Sequence, residues 1–251
     1  MPLRTVDAIR YVTPFREGGS LPGLVEGSDD GLYVTKFQGA GQGRKALVAE
    51  VVAGELARAL GLAVPELVIV RLDEALGRAE PDLEIQHLLT HSAGSNLGVD
   101  FLPGALPFNP VAGPAPAREL AADIVWFDSL VTNVDRTARN TNLLMWHGRL
   151  WLIDHGAALY FHHADRIAGH ERRPFEAVAE HVLLPFAASI AEADARLAPL
   201  VTEPVLEAVV GLVPREWLEG DDAQVYVDYL LGRVTPPRAF AEEAERARDK
   251  R

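Results

Sequence analysis

An α+β fold in two parts is what the sequence predicts: a β-rich first part built around one long helix, then a mostly helical second part carrying a β-hairpin. Three observations lead there. Upstream, short β-rich runs flank a single stretch of helical period; residues 103–116 are crowded with proline and glycine; downstream, helical period dominates except at one tight turn between apolar runs. The seam divides the chain into residues 1–103 and 104–251.

In chain order, GLYVTKF at 31–37 reads as a strand, as do ELVIVRL at 66–72 and the run 83–89. Between the first two, residues 44–60 place Val48, Val52, Leu56 and Leu60 on one helix face, with Gly61 as the C-terminal stop. Beyond the seam, Leu120, Ile124, Phe127 and Val131 recur at helical spacing over 119–131. LLMWHGRLWLID at 143–154 is a hairpin with His147-Gly148 at its turn, and the chain from about residue 177 reads mostly as helices.

Composition narrows the class. With 251 residues and 48% hydrophobic content, the chain can bury one large core or two modest ones. It has no cysteine, which removes disulfides, thiolate zinc sites and a cysteine nucleophile. An excess of 36 acidic over 24 basic residues, net charge −12, repels a polyphosphate chain, so nucleic acid is not an expected partner. A single nucleotide, held by local cations and backbone amides, remains compatible. Charge and proline interrupt the N-terminal residues, and no apolar run reaches the length of a membrane span; a cytoplasmic protein is expected.

Residues 132–156, TNVDRTARNTNLLMWHGRLWLIDHG, hold the chemistry. Asp135 leaves the end of a helix, Asn140 follows in the loop entering the hairpin, and Asp154 ends the second strand, which the turn folds back beside the first. One Asp and one Asn offer the hard oxygen ligands that magnesium accepts. A further carboxylate can take the proton of an attacking hydroxyl, and phosphoryl transfer asks mainly for positioning and charge neutralisation. Single Asp and Asn residues are ordinarily turn formers; helix, loop and hairpin together set these apart. Asn142, directly before Leu143, is a second candidate amide. In the upstream strand, alternation puts Lys36 on one face with Leu32 and Val34, a place where an ammonium needs a partner.

DRTARNTNLL at 135–144 and DHG at 154–156 resemble the catalytic loop and the metal-binding Asp of the HipA-type kinases, a branch of the protein-kinase-like superfamily related to phosphatidylinositol kinases. The resemblance implies a two-lobed kinase-like fold with ATP and Mg2+ between the lobes, Asp135 as catalytic base, and Asn140 and Asp154 on the metal. It further implies that Lys36 reaches the α- and β-phosphates, held by Glu50, which stands six residues before Leu56-Ala57; Glu55 is the rival. There are departures: Thr137 stands where relatives often carry His, and His155 replaces an aromatic carbocycle.

Residues 16–31 contain five glycines, and the resemblance makes Gly18, Gly19 and Ser20 a phosphate-covering loop, with Ser20 an autophosphorylation candidate. Residues 86–102 fall where a hinge would meet adenine. Arg136 and Arg139 either stabilise charge on the transferred group or are solvated. His162, His163, Asp165 and His170 read as an exposed loop rather than a metal site. The expected acceptor is an unidentified hydroxyl: a protein Ser or Thr by the HipA-type resemblance, a small alcohol or lipid head group by the phosphatidylinositol-kinase one. Between Asp154 and Pro185 there is no Ser or Thr and Tyr160 is the only hydroxyl, so control by phosphorylating that loop is not expected. The chain is short for a HipA-type protein, which argues against a toxin role and DNA-bound assembly. A catalytically silent nucleotide-binding module and a nucleotidyl transferase are the alternatives; a silent module would commonly have lost one of Lys36, Asp135, Asn140 and Asp154.

Overall fold

The computed structural model describes residues 2–15, 21–41, 43–78, 80–164, 167–218 and 223–251. Strands β1 (Arg4–Pro14), β2 (Gly23–Gly27), β3 (Leu32–Lys36), β4 (Leu67–Leu72) and β5 (Gly94–Asp100) close into a barrel in the order β1-β2-β3-β5-β4. Neighbours are antiparallel except β1 and β4, whose parallel ladder runs from Arg4 opposite Val68 to Asp7 opposite Arg71. Alternate side chains fill the interior, where Val6, Val25, Tyr33, Phe37, Val68 and Val70 form a small core.

Two of these strands carry no clear period in the sequence. Register shifts after Ala8 and after Tyr11 break the alternation of β1. In β5, GSNLGVD, a Cβ on Gly98 would lie 2.6 Å from Val70 Cγ2, so close pairing with β4 requires a residue that looks like a breaker. The run 83–89, expected as a strand, is instead helix α3 (Leu83–His91), which follows the short α2 (Glu74–Arg78). Ile85, Leu88 and Leu89 are buried at helical spacing, and the Asp82 side chain caps the N-terminus by accepting from Glu84 N at 3.0 Å. The last barrel strand is therefore β5, inside the stretch read as a hinge, and the connection to the second part begins after Asp100.

Helix α1 (Gly43–Ala59) ends as its sequence dictates. Gly61, at φ +83°, donates to Arg58 O while Leu62 N donates to Ala57 O, the paired bonds of a glycine C-cap. Although it lies in the barrel's half of the chain, α1 belongs to the larger core: Val48, Val51, Val52 and Leu56 join a cluster with Trp126, Phe127 and Leu130 of α4 (Arg118–Leu130). Helices α5 (Ile190–Leu197), α6 (Glu203–Val210), α7 (Gln224–Val234) and α8 (Ala239–Asp249) complete it. Before α5 the chain runs through short 3₁₀ turns at Tyr160–Ala164, Glu176–Glu180 and Leu184–Phe186, so the helices begin later than expected.

Strands β6 (Leu106–Pro107), β7 (Leu143–Trp146) and β8 (Arg149–Leu152) form a separate sheet. The turn between β7 and β8 has φ +47° at His147 and +73° at Gly148, the left-handed pair that a two-residue hairpin needs. Among the described residues no helix is long and apolar enough to cross a membrane.

Candidate functional site

Lys36 ends β3 on the strand face opposite Tyr33 and Thr35, which are buried. Its Nζ donates to Glu50 Oε1 on α1 and to Asp154 Oδ1, the latter at 2.6 Å. The rival Glu55 pairs with Arg58 at 3.2 Å instead. Side-chain exposure grades across the cluster, 2% for Glu50, 13% for Lys36 and 46% for Asp154, so only the last carboxylate opens to solvent. Burial alone would depress the Lys36 ammonium, but the two carboxylates outweigh it and hold its pKa above the ordinary lysine value. Burial raises Glu50 against the pull of Lys36, while Lys36 lowers Asp154 to about 2. With both carboxylates ionised, two of them against one ammonium leave the cluster one negative charge in excess.

Space around this cluster is set by small residues. A Cβ on Gly156 would lie 3.1 Å from Glu50 Oε1, and a Cβ on Gly54 would lie 2.9 Å from Leu67 Cδ1, so α1 packs close to β4 at Gly54. Between these residues His155 is buried, edge-on to Phe127, and burial lowers its pKa to about 3, which keeps it neutral. A small cavity beside Lys36 is lined by Phe37, Ala40, Gly43, Ala46 and Gly156. A larger surface groove of about 470 Å³ between α5 and α8 is lined by Asp194, Pro237, Arg238 and Glu245 and holds none of these groups.

Asp135 forms a second cluster. Its Oδ2 accepts from Asn140 Nδ2 at 2.8 Å and from Asn142 Nδ2 at 3.2 Å, so the two rival amides hold the same carboxylate. The hairpin register pairs Leu143 with Leu152, and Ile153 N donates to Asn142 O at 3.1 Å. Asn142, rather than Asn140, thus faces the end of β8 that leads into Asp154. Asn142 is buried and Asn140 exposed.

Other expectations change. Arg136 is not a solvated or transition-state arginine: it is 1% exposed and its Nε donates to Asp128 at 2.5 Å. Arg139 is exposed on the loop. His162 is buried, not looped into solvent, with Nδ1 at 3.2 Å from Tyr226 Oη and Nε2 at 3.1 Å from His163 Nε2; His170 stacks on Phe161. Among the described residues no three His, Cys, Asp or Glu side chains converge as a metal site. Gly18, Gly19, Ser20 and Asp165 lie outside the described residues. The buried group of Asp128, Arg136 and His181 was missed; its signal was a carboxylate in the apolar run IVWFDSL.

The pairing of Lys36 with the helix glutamate Glu50 is what the sequence resemblance implied; the second bond of Lys36, to Asp154, was not expected. A family model described as HipA-like kinase matches residues 8–236. The chain belongs to the HipA-like kinase family. No curated protein sequence matches this chain. Among solved structures it is similar to the Helicobacter pylori proinflammatory kinase CtkA, with 12% identity, a TM-score of 0.56 and 98% of each chain covered. The golgi casein kinase aligns at 15% identity with a TM-score of 0.48, over all of this chain and 73% of that one. At such identity the likeness to CtkA shows a kinase fold.

Proposed function

We propose that this HipA-like kinase transfers the γ-phosphoryl group of ATP to a hydroxyl, with a protein Ser or Thr as acceptor. The observation that carries the reading is the sharing of Lys36 between Glu50 and Asp154 next to the loop of Asp135 and Asn140. Glu50, buried on a helix anchored in the larger core, orients Lys36 toward the α- and β-phosphates. Asp154 and one of the two amides, Asn140 by its spacing from Asp135 or Asn142 by its place opposite the end of β8, offer the hard oxygens that a magnesium ion takes. When bound, the metal neutralises phosphate charge. Asp135, fixed by two amides, accepts the proton of the acceptor hydroxyl. The Ser/Thr acceptor rests on the family; a small alcohol or lipid head group is its competitor.

ATP labelled at the γ-phosphate, and separately at the α-phosphate, tests the reading with the purified protein and a panel of peptide and small-alcohol acceptors. Transfer of the γ label, abolished by Asp135→Asn, is the expected result. Transfer of only the α label makes the protein a nucleotidyl transferase. ATP binding without transfer or hydrolysis, unchanged in Asp135→Asn, makes it a silent nucleotide-binding module. Intact-mass measurement after incubation with ATP and magnesium reports whether Ser20 takes a phosphoryl group.

A further inference from the structure

Asp128 and Arg136 are buried ionic groups that the proposed transfer does not use, and their bonds lead to the residues it does. We infer that Arg136 is a positioning residue whose guanidinium clamps both ends of the β7–β8 hairpin, setting Asp135 and Asp154 toward one site. The inference rests on the roles proposed above for those two carboxylates.

Arg136 Nη1 donates to the carbonyls of Asn142 and Ile153, the latter at 3.4 Å. Those residues flank the hairpin. The Asn142 amide holds the Asp135 carboxylate, and the Ile153 carbonyl belongs to the peptide that begins Asp154. Asn142 and Asp154 both have left-handed backbones, φ +47° and +56°, a region that Asn and Asp enter more readily than other non-glycine residues.

The other side of the guanidinium is locked. Nε and Nη2 donate to Asp128 on α4, whose carboxylate also accepts from Asn133 Nδ2 and His181 Nε2, each at 2.9 Å. Leu183 N donates to His181 Nδ1 at 3.1 Å, which places the ring proton on Nε2, facing Asp128. Asn133 adds a second path, since its side-chain oxygen accepts from Asp135 N at 3.2 Å. Arg136 O accepts from Val182 N at 3.1 Å, tying the segment before α5 to the same loop. Only a planar fork reaches a carboxylate and two carbonyls at once; a lysine carries the charge without that reach.

A merely structural pair and a clamp differ in what replaces them. Apolar side chains of similar volume commonly restore the stability of a buried ion pair, but they cannot bond the two carbonyls. The double variant Asp128→Leu/Arg136→Met is therefore expected to fold with faster amide exchange at residues 140–142 and 153–155 and unchanged exchange in the barrel. Its kcat should fall about 100-fold, with KM for ATP held within about threefold. Arg136→Lys is the second variant if the first does not fold, and it should show the same pattern. Unchanged exchange at those residues in a folded variant overturns the clamp, as does a raised KM with unchanged kcat. If the wild type transfers no phosphate, the roles of Asp135 and Asp154 fall, and the exchange measurement still decides the clamp.

Discussion

Two ionic clusters meet the open end of the hairpin, one through Asp154 and the other through the Asn142 and Ile153 carbonyls, and they are built to opposite ends. Lys36, Glu50 and Asp154 carry one excess negative charge and grade from 2% to 46% exposure. Asp128, Arg136 and His181 balance their charges and show no side chain more than 2% exposed. A closed, balanced cluster has every donor matched and fixes geometry; an open, unbalanced one keeps a charge for something else to neutralise. On the proposed function, the difference separates groups that act from groups that hold.

The comparison breaks most sharply at the carboxylates. Asp135→Asn is expected to slow phosphoryl transfer by about 10²- to 10⁴-fold while ATP binding persists, measured with labelled ATP. Retention of a large part of the wild-type rate would remove Asp135 from the acting groups. Lys36→Met leaves Glu50 buried and unpaired, and a loss of about 3–5 kcal/mol in urea unfolding at neutral pH is expected. With the Glu50 pKa raised, the folded variant binds its proton more tightly than the unfolded chain, so the deficit should shrink as pH falls.

In the closed cluster the sign reverses. Burial opposes Asp128 ionisation, but Arg136 and His181 outweigh it and hold the carboxyl well below the ordinary range. The pair's contribution is thus complete above the unfolded value of about 3.9 and is lost as pH falls below it. Urea midpoints at pH 7 and pH 3 should drop further for the wild type than for Asp128→Leu/Arg136→Met. A smaller change, His181→Ala, removes one of Asp128's donors and should cost about 1–3 kcal/mol. Gly148→Ala belongs to neither cluster: a Cβ there meets nothing within 4 Å, so only the left-handed backbone resists it, by roughly 1–2 kcal/mol.

Much of the site was legible because it is local. Asp135, Asn140, the His147-Gly148 turn and Asp154 fall within a short stretch, and the turn alone folds Asp154 back toward the loop. The α1 period and its Gly61 stop were equally plain. What the chain read alone left open was set from far away. Glu50 rather than Glu55 faces Lys36 because α1 rolls its Val48, Val51, Val52 and Leu56 face into the core of the second half. The run 83–89 became a helix where the barrel offered its apolar face a surface, and β5 pairs through a glycine that reads as a breaker. Arg136 looked like any loop arginine until Asp128 and the Asn142 and Ile153 carbonyls surrounded it. Sequence determined what neighbours along the chain can do, since period, caps and turns are properties of a few consecutive residues. Tertiary structure decided which charges are buried and with whom, because desolvation and pairing depend on groups the chain brings together only by folding.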